Sequence, residues 1–302
     1  MTEVWSPQRW ANTLTKLLDT IYGTGSDRFP VNVRELARDY SHQRFPEDPI
    51  TLIAGEQLAG FDGGLYRAPA GKQGWGIIYN NAMASAGRIN FTLGHEFGHY
   101  LAHRHAFPNG LRCGQQDMVR WDSDYSKTER EANLFAALLL MPLHDFRRQI
   151  GAATQPSLDD LGACASRYGV SLIATVLQWL TYTTSRSVLV VSREGFILWA
   201  RSSESALKTR AFFRTAMRPP IPVHQNSLAG MLQVVAQGTV TVSHPAGVWL
   251  DEPCTEHILH SDRYDFAVSL LHYGAAPPWR PESDEEFEPD VLDVMQRLNS
   301  RR

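Results

Sequence analysis

The sequence has few cysteines, no long apolar run and little net charge, and each absence argues against a class of protein. Its three cysteines, Cys113, Cys164 and Cys254, are odd in number and widely spaced, which argues against a disulfide framework and against a cysteine-rich zinc site. No apolar run reaches the roughly 20 residues that a membrane-spanning helix needs, and the first residues lack the basic and apolar regions of a secretory signal. We therefore expect a cytoplasmic protein that does not associate with membranes.

The charge balance gives no general reason to expect nucleic acid as the main partner. The formal net charge is −3 at pH 7, with 43% hydrophobic and 20% charged residues, as in an ordinary globular protein. A chain of 302 residues is long enough for two or three domains with hydrophobic cores.

The most informative segment is 91–101, in which His95 and His99 are four residues apart and Glu96 follows the first histidine. On an α-helix this spacing places both imidazoles on one face and turns Glu96 toward another edge of the same site. Two imidazoles can bind one Zn²⁺, and Glu96 can then act on a water molecule beside the ion. The pattern predicts the active-site helix of a metalloprotease; the alternative is an ordinary amphipathic helix with two spare histidines.

A hydrolytic zinc site needs a third protein ligand, and His105 is the first candidate. This histidine stands at the third ligand position of the metzincin pattern. That pattern has glycine where this chain has Ala102, because the backbone leaves the helix there in a conformation that is costly for a residue with a Cβ. Ala102 therefore counts against His105.

Glu129 is the second candidate, on a helix predicted for residues 126–141 and ended by Pro142. It shares a face with the small residues Ala132 and Ala136, which would let another helix approach closely. We therefore prefer Glu129 as the third ligand.

Two neighbours of Glu129 have separate predicted roles. Asn133 lies one turn further on and is placed to hydrogen-bond a ligand histidine and fix its tautomer. Glu131 points away from the Glu129 face, which is typical of a solvated surface acid, and it is the fallback ligand.

Together the two motifs resemble the ImmA/IrrE family of metallopeptidases. The matching residues are Arg88-x-x-Phe91-Thr92-Leu93-x-His95-Glu96-x-x-His99 and Glu129-x-x-x-Asn133-x-Phe135-Ala136-x-x-Leu139-Leu140-Met141-Pro142. The resemblance implies that His95, His99 and Glu129 bind the metal and that Glu96 is the general base. Zn²⁺ is the expected ion, with Mn²⁺ as an alternative. The resemblance further implies a cytoplasmic endopeptidase that cleaves a helix-turn-helix transcriptional repressor or a similar regulatory protein.

The expected fold is α+β, and the chain divides into four parts. These are a zincin-like metallopeptidase domain with a small antiparallel sheet and the HExxH helix (1–150), a helix-turn-helix-like region (151–186), a small α/β domain that could act as a sensor (187–280), and an acidic linker with a C-terminal helix (281–302). In the α/β domain we expect two hairpins, 188–191 with 196–199 and 239–242 with 248–250. The second helix of the turn motif, 172–183, has no basic residue, which argues against direct DNA binding.

The strand predicted for residues 75–80 precedes the metal-binding helix, and its exposed edge could hold an extended peptide. In that interpretation Trp75, Ile77 and Tyr79 bind the substrate. The alternative is a strand already paired on both sides.

A second class of function also stays open. The chain could be a non-proteolytic regulator or sensor that uses the zinc-peptidase fold as a scaffold for a partner. Glu96 argues against this alternative, because a scaffold needs no base beside its metal.

Overall fold

A computed structural model describes residues 5–23, 25–82, 85–114, 123–215, 219–231, 238–261 and 265–276, with only the backbone described for 26, 112–114, 123–126 and 261. The predicted linker and helix over 281–302 lie outside these ranges. The chain forms two compact units, one of Met1–Phe146 with Cys164–Ala174 and the other of Arg147–Ala163 with Thr175–Arg302. The predicted four-part division stays a prediction.

The described residues contain eight α-helices and ten strands. The helices are α1 (Pro7–Tyr22), α2 (Val33–Arg44), α3 (Ala86–Ala102), α4 (Ser123–Leu140), α5 (Leu143–Gln149), α6 (Leu158–Tyr168), α7 (Leu172–Leu180) and α8 (Glu204–Lys208). The strands are β1 (Ile50–Glu56), β2 (Phe61–Arg67), β3 (Trp75–Asn80), β4 (Gly110–Gly114), β5 (Ser187–Arg193), β6 (Phe196–Ser202), β7 (Ile221–Pro222), β8 (Thr239–His244), β9 (Cys254–Ser261) and β10 (Phe266–Tyr273). The fold is therefore mixed α and β, as expected.

Local capping signals explain where the first helices begin. The Ser6 side chain accepts a hydrogen bond from the Arg9 backbone N–H at 3.2 Å, and Pro7 occupies the first turn of α1, where no intrahelical N–H bond is lost. The Asn32 side chain caps α2 in the same way through the backbone N–H of Glu35. These starts follow from side-chain chemistry a few residues away.

The first sheet has the strand order β1-β3-β2-β4 and is mixed. Strand β3 pairs antiparallel with β2 and parallel with β1, and β2 pairs antiparallel with β4. The prediction of an antiparallel sheet is wrong for one pair of strands. Strand β3 lies between β2 and β1, and it runs opposite to β2 but in the same direction as β1.

The position of β3 also corrects the predicted peptide-binding edge. Both of its sides are paired, so its backbone cannot add a further strand. Trp75 is 2% exposed and donates its indole N–H to the Asp48 carboxylate at 3.0 Å, and Ile77 is fully buried. The Tyr79 hydroxyl accepts a hydrogen bond from Arg34 at 2.8 Å. Trp75 and Ile77 are core residues of this strand, and Tyr79 is half-buried.

The second sheet is antiparallel throughout, in the order β7-β6-β5-β10-β9-β8. The predicted hairpin of β5 and β6 is confirmed, and its turn residues Glu194 and Gly195 both have positive φ, as a tight hairpin turn requires. The second predicted hairpin is wrong, since β8 pairs with β9 and not with residues 248–250. This part of the chain is α+β, not α/β, because its strands are joined without parallel crossovers.

The buried carboxylate of Glu256 links several strands and loops of the second sheet by hydrogen bonds. Glu256 on β9 is fully buried and accepts hydrogen bonds from Leu228 N–H, Trp249 Nε1, Ser269 Oγ and His244 Nε2 at 2.7–3.1 Å. A buried carboxylate is tolerated when its oxygens are hydrogen-bonded in this way. The contact with Glu256 therefore gives His244 a structural role, and both residues are far in sequence from the metal motif.

Two helices, α6 and α7, lie within the predicted helix-turn-helix-like region; their arrangement as such a motif stays a prediction. Gly169, with φ +60°, ends α6, and the Ser171 side chain accepts a hydrogen bond from the backbone N–H of Ala174 to cap α7. Five residues of α7 are buried, namely Thr175, Val176, Gln178, Trp179 and Leu180. The argument against DNA binding stays a prediction.

Among the described residues, no helix combines the length and apolar composition needed to cross a bilayer.

Candidate metal centre

Small residues bring α3 and α4 into close contact. A Cβ built on Gly94 would lie 3.3 Å from the Ala136 Cβ, and one built on Gly98 would lie 2.9 Å from a ring carbon of Phe135 and 3.3 Å from the Ala132 Cα. The contacts run in opposite order along the two helices, which are therefore antiparallel. The predicted small face of α4 thus meets glycines on α3, which were not singled out from the sequence.

This packing brings Glu129 to the two histidines of α3. The His95 Nε2 and His99 Nε2 atoms are 2.9 Å apart, and they lie 3.2 and 3.1 Å from the two carboxylate oxygens of Glu129. Ligand atoms around one tetrahedral zinc ion are separated by roughly 3.3–3.5 Å. Among the described residues, His95, His99 and Glu129 are the group whose ligand atoms converge closely enough to hold a metal ion.

The hydrogen bond on the far side of His95 supports this interpretation. The His95 Nδ1 lies 2.9 Å from the Asn133 Oδ1, an acceptor, so Nδ1 carries the proton and Nε2 presents a lone pair. Two nitrogen lone pairs facing each other at 2.9 Å repel unless a proton or a cation lies between them. The donor set therefore fits a divalent ion, and Asn133 is hydrogen-bonded to the far side of the His95 ring.

His99 is supported differently, through His103 and Glu131, neither of which belongs to the preferred set of ligands. The His99 Nδ1 lies 3.0 Å from the His103 Nδ1, and the His103 Nε2 lies 3.0 Å from a carboxylate oxygen of Glu131. Glu131 thus contacts His103 and is absent from the group of converging ligand atoms. His105 is exposed and is also absent from that group.

The comparison with known families agrees with this geometry. Residues 47–179 match the profile of the Peptidase_M78 family, described as the IrrE N-terminal-like domain. This segment is therefore similar to the IrrE N-terminal-like domain. It contains both motifs, so the predicted resemblance to the ImmA/IrrE metallopeptidases is confirmed over these residues, which are less than half of the chain. No curated protein matches the sequence.

Within the matched residues 47–179, strand β2 lies directly against the predicted base. Glu96 is fully buried. A Cβ built on Gly63 would lie 2.6 Å from the Thr92 Cγ2 and 3.0 Å from the Glu96 Oε1. Since the φ of Gly63 is not in the left-handed region, glycine is needed here for space alone. Gly63 was assigned no role at the site from the sequence.

The electrostatics of the site favour a cation. Burial tends to raise the pKa of the Glu129 carboxyl, but its contacts with His95 and His99 outweigh burial and lower that pKa. Burial, reinforced by the neighbouring His95, lowers the pKa of His99 to about 4. Burial also opposes protonation of His95, but Glu129 and Glu96 outweigh it and raise the pKa of that imidazole. At neutral pH the site therefore combines an ionised Glu129 with a neutral His99, the protonation states of metal ligands.

Proposed function

We propose that the chain is a zinc-dependent endopeptidase. The observation that carries the proposal is the convergence of ligand atoms of His95, His99 and Glu129, which lie within 3.2 Å of one another in a segment that matches a peptidase family. Glu96 lies on the same helix as the two histidines. Three protein ligands are typical of catalytic zinc sites, whereas structural sites use four. We propose Zn²⁺ as the ion, with Mn²⁺ as the alternative to be tested.

The proposed division of labour follows from the positions of the side chains. A bound ion would lower the pKa of a water molecule and polarise the scissile carbonyl. The Glu96 carboxylate accepts a proton from the attacking water as the C–O bond forms, and it delivers that proton to the leaving nitrogen as the C–N bond breaks. Glu96 can do both steps because its place on α3, next to His95, keeps it beside the ligands without coordinating the ion.

We further propose that the substrate is a helix-turn-helix transcriptional repressor or a similar regulatory protein, and that cleavage occurs in the cytoplasm. The resemblance to the ImmA/IrrE family supports the substrate class. Cys164 and Cys254 are buried and do not form disulfides, as is usual in a reducing compartment. The net charge of −3 supports a protein substrate over direct action on DNA.

The proposal is tested by incubating the purified full chain, loaded with Zn²⁺ or Mn²⁺, with the product of the adjacent gene as the candidate repressor. We expect cleavage at a discrete site, loss of cleavage on chelation, and recovery when metal is restored. A metal-loaded protein that binds the repressor without cutting it would contradict the peptidase proposal and support the scaffold alternative.

Replacing Gly63 with alanine is expected to lower the cleavage rate while metal stays bound. The added Cβ would meet Thr92 and Glu96 but none of the three proposed ligands. A displacement of about 1 Å in a catalytic group can cost on the order of 10²-fold in rate. Metal content and kcat, measured on the same preparation, check both parts of this expectation.

Gly76→Ala is the matched control for Gly63→Ala. Gly76 lies in the neighbouring strand β3, where a Cβ would meet Leu52 at 3.6 Å, an ordinary contact. We expect this variant to keep near-native kcat. Equal rates for the two variants would show that crowding of Glu96 does not control the reaction.

A further inference from the structure

The two histidines of the proposed metal site differ in what holds the side of the ring away from the ion. His95 faces the amide oxygen of Asn133, a neutral acceptor. His99 faces a second imidazole, His103, which in turn contacts the carboxylate of Glu131. The proposed ligands are therefore supported by two different hydrogen-bond chains.

We propose that His103 and Glu131 form a positioning relay that fixes the tautomer and orientation of His99. This proposal rests on the proposed metal site. If His99 presents its Nε2 lone pair to an ion, its proton is on Nδ1 and is donated to the His103 Nδ1. The proton of neutral His103 is then on Nε2 and is donated to Glu131 Oε2. Each donor in the chain meets one acceptor.

The environment of His103 makes this arrangement rigid. The residue is 6% exposed, and the backbone N–H of His103 donates to the His99 carbonyl at 2.8 Å, which closes the end of α3. The next residue, Arg104, donates to the Tyr100 carbonyl at 2.8 Å and to the Asp48 carboxylate at 3.2 Å. The helix end is therefore fixed at the residue after His103, and the imidazole is held against His99.

The outer end of the relay lies closer to solvent. The Glu131 side chain is 32% exposed, and its other carboxylate oxygen lies 3.9 Å from the ammonium of Lys127, which is itself 65% exposed. Contacts of that length between exposed groups contribute little. We therefore expect His103 to matter most for ion binding, Glu131 less, and Lys127 very little.

The relay is tested by zinc affinity, measured in competition with a chromophoric chelator. His103→Leu keeps an apolar volume in the buried position but removes the acceptor, and we expect zinc binding to weaken by about 10–100-fold. His103→Asn places an amide oxygen near the position of Nδ1, so we expect affinity close to that of the native protein. Glu131→Ala should fall between His103→Leu and the control Lys127→Ala.

Thermal unfolding of the metal-free variants separates a positioning role of His103 from a role in folding. Loss of the tautomer constraint alone should leave the unfolding temperature of the metal-free protein nearly unchanged. Native zinc affinity in His103→Leu, or an equal loss in His103→Asn, would overturn the relay. If His103→Leu does not fold, Glu131→Ala tests the same hydrogen-bond relay at its more exposed end. Native zinc affinity of Glu131→Ala would then overturn the relay. Failure of the wild-type protein to bind zinc would instead refute the proposed metal site.

Discussion

Glu96→Gln is expected to abolish measurable cleavage while the protein keeps its metal. Glutamine matches glutamate in size, so the packing of the fully buried side chain beside Gly63 is retained. The amide cannot accept the proton of the attacking water, and loss of general acid–base catalysis typically costs roughly 10²–10⁴-fold in rate. Removal of a base that serves both proton transfers belongs at the upper end of that range.

The measurement is kcat on the cleaved repressor, with metal content determined on the same sample. Glu56→Gln is the control, because Glu56 is an exposed acid at the end of β1 in the same unit. We expect native kcat for Glu56→Gln and full metal content for both variants. A Glu96→Gln protein that still cleaves at the native rate would remove Glu96 from the mechanism and leave the metal site intact.

Glu129→Ala is expected to lose the metal, and the activity with it. The Glu129 oxygens lie 3.2 and 3.1 Å from the two Nε2 atoms, and the carboxylate is the single anionic member of the converging group. Removing a direct ligand should cost more than the roughly 10–100-fold in affinity typical of supporting residues. Glu129→Gln keeps the shape of the side chain and separates loss of the charge from loss of packing.

Zinc-dependent thermal stabilisation measures this effect without a substrate. An ion at about 100 times its Kd stabilises the folded protein by about 2.7 kcal/mol, so the native protein should unfold at a higher temperature with zinc than without it. Glu129→Ala should lose this difference, and His105→Ala should keep it, because His105 is exposed and outside the converging group. The reverse pattern would place the third ligand at His105 and make the assignment of Glu129 wrong.

Local features of the fold could be predicted from the sequence because each depends on residues a few positions apart. The caps Ser6 and Asn32 start helices where their side-chain oxygens meet backbone N–H groups three residues later. Glu194 and Gly195 form the turn of the β5–β6 hairpin. The four-residue spacing of His95 and His99 placed both imidazoles on one face of α3 in the same way.

The order of strands in the sheets could not be predicted, because it depends on contacts between distant segments. Strand β3 has the composition of either an edge or an inner strand, and only its pairing with both β1 and β2 decides between them. The partner of β8 is likewise β9 and not the nearer segment 248–250. Alternation along one strand indicates which face is buried, but it does not identify the neighbouring strands.

By itself the sequence determined the candidate residues of the proposed metal site: two imidazoles at helical spacing, an adjacent carboxylate, and a further carboxylate on a later helix. The two motifs that hold them resemble one family. Only the tertiary structure decided which candidates meet. Gly94 and Gly98 let α4 approach until Glu129 reaches the histidines, while His105 stays exposed. It also placed Gly63 against Glu96 and His103 between His99 and Glu131. The reason is physical: backbone periodicity sets spacing along one helix, whereas distances between helices and strands depend on close packing of residues far apart in the chain.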